Sequence, residues 1–151
     1  MIYDRTIEDV NEAIRIVNER VKRFLPLTAS EWDKLERGLM TVDTINRIES
    51  KQAEIRDSLN KNGYYNNVGL NKSWELNGYF MQEDLDRLAR NTEMLRNSIK
   101  VYIDTPSPPK PIYHFEEINK MEKILVDLER IATSIKLKYK RCNTFNCGEV
   151  V

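Results

Sequence analysis

Residues 114–139 read HFEEINKMEKILVDLERIATSIKLKY, and the spacing of their apolar side chains decides the fold. Ile118, Met121, Leu125, Leu128, Ala132, Ile135 and Tyr139 step alternately by three and four residues, which places them on one stripe of an α-helix. Ile124 and Ile131 widen that stripe beyond a two-stranded seam, so the helix is expected to touch more than one neighbour. The pattern serves packing within one chain or between chains equally well.

The opening of this helix recurs. Thr6-Ile7-Glu8-Asp9-Val10-Asn11, Thr41-Val42-Asp43-Thr44-Ile45-Asn46-Arg47-Ile48-Glu49 and Met81-Gln82-Glu83-Asp84-Leu85-Asp86-Arg87-Leu88 each place carboxylates in a first turn, as does His114-Phe115-Glu116-Glu117-Ile118. Negative charge there complements the unpaired N–H groups and the helix dipole. Thr6 and Thr41 are able caps; Met81 and His114 are poor ones, which shifts the expected cap to a neighbour. The aligned Val10, Ile45, Leu85 and Ile118 lie 35, 40 and 33 residues apart, too uneven for a solenoid.

Helical spacing follows each start. The first helix carries Ile7, Val10, Ile14, Val17, Val21 and Phe24; the second carries Ile45, Ile48, Gln52, Ile55 and Leu59; the third carries Leu85, Leu88, Thr92, Leu95, Ile99 and Tyr102. Gln52 and Thr92 interrupt their stripes, either to fix register between helices or as solvated gaps. A short helix is expected from Ser30 to Gly38, after Pro26. The expected fold is all-α: an elongated bundle of four main helices plus one short one, with the heptad-patterned C-terminal helix used in oligomerisation. Its parts are N-terminal helices over 1–60, an aromatic Gly/Asn-rich loop over 61–80 and a third long helix over 81–103. A Pro-rich spacer over 104–113, the heptad helix over 114–140 and a cysteine-containing tail over 141–151 complete it. The spacer, stiff and extended, is expected to direct the last helix away from the third.

Composition removes several function classes. Lys+Arg and Asp+Glu are both 24, so no net field draws DNA, RNA or an anionic membrane, and the absence of self-repulsion favours association. No apolar run approaches the ~20 residues of a membrane span, and Met1-Ile2-Tyr3-Asp4-Arg5 does not read as a secretory signal. Cys142 and Cys147 stand together, open to pairing, but a zinc site needs two further ligands and the single histidine, His114, begins another segment. Lys136, Lys138, Lys140 and Arg141 read as complements to the last carbonyls of a helix, without the aromatic platform of a nucleic-acid site. Glu116 and Glu117 point about 100° apart on a helix and have a structural explanation as first-turn acids. No catalytic residue, cofactor or metal is expected, and the chain is read as no enzyme. The aromatics of the Gly/Asn-rich loop either fold over the ends of the bundle or anchor a protein partner; with Trp32, the residues Tyr64, Tyr65 and Trp74 are the candidate contacts.

Taken in order, several landmarks resemble a family. They are Tyr3-Asp4-Arg5-Thr6 with Asp9-Val10, the stretch from Thr41 to Glu49 centred on Asn46-Arg47-Ile48-Glu49, and its echo at Asp84-Leu85-Asp86-Arg87-Leu88. Thr105-Pro106 before the helix from Phe115, and an end containing Cys, Gly and Glu, complete the set. The chain is similar to helical virion proteins of tailed bacteriophages and prophages of Gram-positive bacteria, associated with tail, baseplate or fibres. The resemblance implies a structural part that assembles with other phage proteins, and where the seam lies between chains the wide stripe of Ile124 and Ile131 favours a trimer. It implies no nucleic-acid or membrane partner, and residence in the virion after assembly in the host cytoplasm. No receptor-binding β domain follows, which favours an adaptor or scaffold over host recognition. The rival readings are an intracellular helical interaction module or regulator and a nucleic-acid binder using the basic C-terminal end.

Overall fold

A computed structural model describes residues 1–70, 74 and 80–142, with side chains as far as residue 137. Among the described residues there are five α-helices and no strand: α1 (Ile7–Glu19), α2 (Ala29–Gly38), α3 (Val42–Lys61), α4 (Gln82–Asn97) and α5 (Phe115–Cys142). The chain is all-helical.

Local chemistry accounts for the starts. Thr6 and Asp9 form a reciprocal capping box, the Asp9 N–H donating to Thr6 Oγ1 at 3.3 Å and the Thr6 N–H to Asp9 Oδ2 at 2.8 Å. Thr28, not Ser30, caps α2 through the same arrangement with Glu31. Thr41 Oγ1 accepts from the Thr44 N–H, while Met81 occupies a cap position without a side-chain bond and its N–H donates to Asp84 Oδ2 at 3.0 Å. α1 stops at Glu19, short of the apolar spacing that continues to Phe24. A 3-10 turn, Val21–Arg23, and a left-handed Phe24 (φ 56°) follow, because Pro26 has no N–H to continue a helix and disfavours helical backbone at Leu25.

α3, α4 and α5 run parallel. Gln52 Nε2 donates to Thr92 Oγ1 (2.9 Å), and Glu49 pairs with Arg87, so α3 and α4 advance together. Arg47 pairs with Glu122 (3.0 Å) and Lys51 with Glu129 (3.0 Å), so α3 and α5 do too. A chain that leaves one helix and starts the next at the same end must first travel back. The two long connections do that. Asn66 lies beside Asn60, the carbonyl of Val68 beside Arg56 and Trp74 beside Asn46, so the described residues of the aromatic segment from Asn66 to Trp74 descend along α3 and are not laid over the bundle's end. Thr105 then bonds Asp127, the Lys110 N–H bonds Glu117, and Gln82 reaches the Pro111 carbonyl. The proline segment therefore returns α5 to the side of α4; it does not direct the two apart.

The seam closes inside one chain. Ile118, Met121, Leu125, Leu128 and Ala132 are buried in one core with Ile45, Ile48, Ile55, Leu59, Leu85, Leu88 and Leu95. Ile124 is buried with them, and Ile135 packs against the edge. The several neighbours implied by the wide stripe are α3 and α4, so these positions are not available to a second copy. Tyr139 lies on α5 with its side chain outside the described residues. Gln52 and Thr92, both fully buried, settle the register question, since each satisfies the other.

α1 and α2 form a separate antiparallel hairpin held by Asp9–Arg37 (2.9 Å), Glu12–Lys34 (3.1 Å) and Arg20–Glu31 (3.2 Å) around a small core of Ala13, Ile16 and Leu35. A Cβ on Gly38 would meet the Asp9 carbonyl oxygen at 2.2 Å and the Ala13 Cβ at 2.4 Å, so the hairpin closes only on glycine there. The hairpin joins the bundle through a buried charge. Glu122 is fully buried and accepts from Arg5 Nη1 (2.5 Å), the Ile2 N–H (3.0 Å) and Arg47 Nε and Nη2 (3.1 and 3.0 Å). Asn119 adds a bond from its Nδ2 to the Arg5 carbonyl (2.9 Å).

Two outcomes are expected. Glu122→Ala leaves the buried Arg5 guanidinium without its counter-charge and should cost about 3–5 kcal/mol in urea unfolding; a loss under about 1 kcal/mol would show the pair to be dispensable. Three hairpin carboxyls sit below their ordinary values. Arg15 and then Lys34 hold Glu12 at about 2, and the Thr28 N–H lowers Glu31. Burial pushes Asp9 up, but the Thr6 N–H and Arg37 outweigh it and leave it lowered. Carboxyls lowered by folding stabilise above the unfolded pKa of about 4 and lose that contribution as pH falls toward about 2. Helicity by circular dichroism should hold down to about pH 5 and then fall; equal stability at neutral pH and about pH 2 would contradict this.

Candidate functional site

Two of the four candidate contact aromatics converge. Trp32 on α2 and Trp74 on the first return connection line one cleft of about 540 Å³ with Asp33, Glu36, Thr41, Val42, Asp43 and Asn46. The cleft lies where α2 gives way to α3 through residues 39–41, a link too short to separate the two helices. Trp32 stands out from α2, 60% exposed. Trp74 is half-buried and held on three sides: its N–H donates to Asn46 Oδ1 (2.9 Å), its carbonyl accepts from Asn46 Nδ2 (3.1 Å), and its indole Nε1 donates to Glu49 Oε2 (3.1 Å). Phe80 meets its ring edge-on at 5.2 Å.

The walls are acidic. Glu36 is paired with Arg47, whose other nitrogens bond Glu122, so this wall is braced from the core. Asp33 and Asp43 are exposed and have no ion pair among the described residues, and among those residues no Lys or Arg lines the cleft. A cation is what two indole faces and spare carboxylates recognise together.

The other two aromatics lie elsewhere. Tyr64 and Tyr65 follow α3, where the Tyr64 N–H bonds the Leu59 carbonyl, and Tyr65 is 85% exposed. They are separated from the cleft by most of the 20-residue length of α3, about 30 Å. The four do not form one surface. His114 is exposed, stacks on Phe115 at 4.7 Å and lies 3.8 Å from Glu116. Glu117 is drawn into structure: burial pushes its carboxyl up, but Lys120 and the Lys110 N–H hold it below its ordinary range. Lys136 is exposed; the side chains of Lys138, Lys140, Arg141 and Cys142, and all of Cys147, lie outside the described residues. Among the described residues no group of three or more His, Cys, Asp or Glu is placed to hold a metal, and no helix is long and apolar enough to cross a membrane.

Asn46, Glu49 and Asp33 escape sequence reasoning as members of a site. Asn46 and Glu49 are three apart beside the apolar stripe of α3, which is the signal for a shared polar edge, but nothing in it identifies Trp74 as their partner. No protein-family model matches the chain, and no curated protein or solved structure matches it either.

The chain has two tryptophans and both line the cleft, so its indole fluorescence reports on this place alone. In a Trp32→Phe background, Asn46→Ala should shift Trp74 emission to the red by releasing it toward water. An unchanged spectrum would mean that Asn46 does not hold the indole.

Proposed function

We propose that the protein is a structural component of a tailed-bacteriophage particle, from tail, baseplate or fibre attachment, that acts by joining other proteins and not by catalysis. The observation that carries the binding half of this reading is the braced Trp32–Trp74 cleft. It presents Trp32 on α2, Trp74 held by Asn46 and Glu49 of α3, and two carboxylates that have no ion pair among the described residues, which suits a Lys or Arg side chain from a neighbouring protein. The virion half rests on the ordered resemblance that runs from Tyr3 to the proline segment and α5.

The reading includes an elongated particle part. Arg47–Glu122 and Lys51–Glu129 set the start of α5 a little before that of α3, and α5 is longer by eight residues, 28 against 20, so it extends beyond α3. Self-association belongs to the reading as well, but through surfaces other than the buried stripe of α5. The three-helix packing expected of a trimer is filled by α3, α4 and α5 of a single chain. Residence is the virion, reached from the host cytoplasm.

Mass spectrometry of purified virions should find this chain, and its absence from intact particles would remove the virion role. Binding is tested separately. An Arg-rich peptide should quench the indole fluorescence, and Asp33→Asn with Asp43→Asn should weaken that binding about tenfold, near 1.4 kcal/mol. Equal binding by the double variant would show that the cleft does not read positive charge.

A further inference from the structure

Charge is divided along α5. Its carboxylates all lie at or before Glu129, and from there to the helix end at Cys142 every charged residue is a cation: Arg130, Lys136, Lys138, Lys140 and Arg141. Cations in a last turn complement the final carbonyls, which accounts for Lys140 and Arg141. Lys136 and Lys138 stand before that turn. Lys136 is exposed and has no ion pair among the described residues; Glu54 and Asp57, which share a groove with it, are paired with Lys51 and Arg56. The helix thus ends in more positive charge than its own carbonyls require.

The complement lies at the other end of the molecule, in the cleft of Trp32, Trp74, Asp33 and Asp43. We propose that the cation held there comes from the basic last turns of α5 of a second copy, so that copies join head to tail. The proposal rests on the reading of the cleft as a cation site, and not on the virion role. α5 cannot fill its own cleft. Trp74 is bonded by Asn46, the neighbour of Arg47, and Arg47 pairs with Glu122, so the cleft lies level with Glu122. Lys136 to Arg141 stand about 21–28 Å further along one unbroken helix. That end is also free to enter a neighbour. Lys51 pairs with Glu129, which sets Lys61, the last residue of α3, level with Tyr139 and leaves the final residues of α5 clear of α3.

Two different surfaces meet in such a contact, and each copy carries both. Assembly therefore does not stop at a dimer but continues into a ring or a filament. Lys+Arg and Asp+Glu are both 24, so the copies have no net charge to drive them apart, while their unlike ends attract. An attraction built on exposed charge weakens as salt is added.

Sedimentation velocity of the full chain, in reducing buffer at low salt, should show species that grow beyond a dimer as concentration rises. At ~1 M salt, where the Debye length is about 3 Å, the chain should be monomeric. Two variants each disable one end. One carries Lys136→Gln, Lys138→Gln, Lys140→Gln and Arg141→Gln; the other carries Trp32→Ala and Asp33→Lys. Each should associate at least about tenfold more weakly than the unaltered chain. Mixed at a concentration where each alone is monomeric, they should form a dimer that grows no further, since the first keeps its cleft and the second its basic end. Circular dichroism follows folding, and if the cleft variant loses helicity, Asp33→Asn with Asp43→Asn takes its place. A chain monomeric at every concentration, assembly indifferent to either variant, or a mixture that grows like the unaltered chain would overturn the proposal. If the chain stays monomeric while an Arg-rich peptide still quenches its indoles, the cleft keeps its reading and only the second copy falls as its occupant; if the peptide fails too, both fall.

Discussion

The carboxylate of Glu122 is withdrawn from water and surrounded by donors from two parts of the chain, Ile2 with Arg5 and Arg47 on α3, while Asn119 on its own helix holds the Arg5 carbonyl. A buried charge is costly unless its lone pairs are taken up, and here they are taken up by residues 75 to 120 positions away in sequence. The geometry of the rest follows from that requirement. Arg47 must lie level with Glu122, which sets α3 beside α5, and its remaining nitrogen reaches Glu36 in the last turn of α2, where the hairpin joins the bundle. Asn46 and Glu49, neighbours of Arg47 on the same helix, then hold Trp74. One carboxylate thus reaches, through a single arginine, to the wall of the cleft.

Parallel packing explains why the acidic helix start is repeated. Three N-termini at one end of a bundle gather the positive ends of three dipoles, an arrangement that repels itself unless negative charge is placed there. Asp43, Glu83 with Asp84, and Glu116 with Glu117 stand in those first turns. The same requirement leaves that end of the molecule rich in carboxylates, and the cleft with Asp33 and Asp43 opens there. Its acidity is therefore partly a consequence of topology, and the two tryptophans add the indole surface on which the proposed recognition of a cation rests.

Much of this could be read from the chain before folding. Helix starts are local chemistry, so Thr6 and Thr41 marked them correctly, and the core positions of α3, α4 and α5 follow from spacing alone. Direction does not. An apolar stripe has the same period read either way, so Ile118 to Ala132 could not reveal that both neighbours run alongside in the same sense. The length of the connections carried that information: about 30 Å of helix must be retraced, and the 20 residues from Asn62 to Met81 suffice for it when extended. Glu122 was equally hidden, because a charged residue beside a stripe normally faces water, and only the fold of the first five residues over it makes it buried. Thr28 lost to Ser30 in the reading for a smaller reason, since both are good caps and Glu31 stands three residues after the true one.

The division between bundle and hairpin bears most directly on what the molecule is for. The bundle encloses its apolar surface within its own core, so it has little left to offer a partner along α5. The hairpin is the reverse case. Its core is Ala13, Ile16 and Leu35, two of them on a helix that also leaves Ile7 and Ile14 exposed, and Trp32 stands exposed on its second helix. A unit that small gains little stability from its own burial and leans on its ion pairs and on the tether at Arg5. Covering its outer face would supply the apolar contact that its own sequence leaves unused, and by mass action any partner that does so stabilises the hairpin it binds. The rigid part of the protein is thus spent on holding direction, and the lightly cored part, at the acidic end, is where association has the most to contribute.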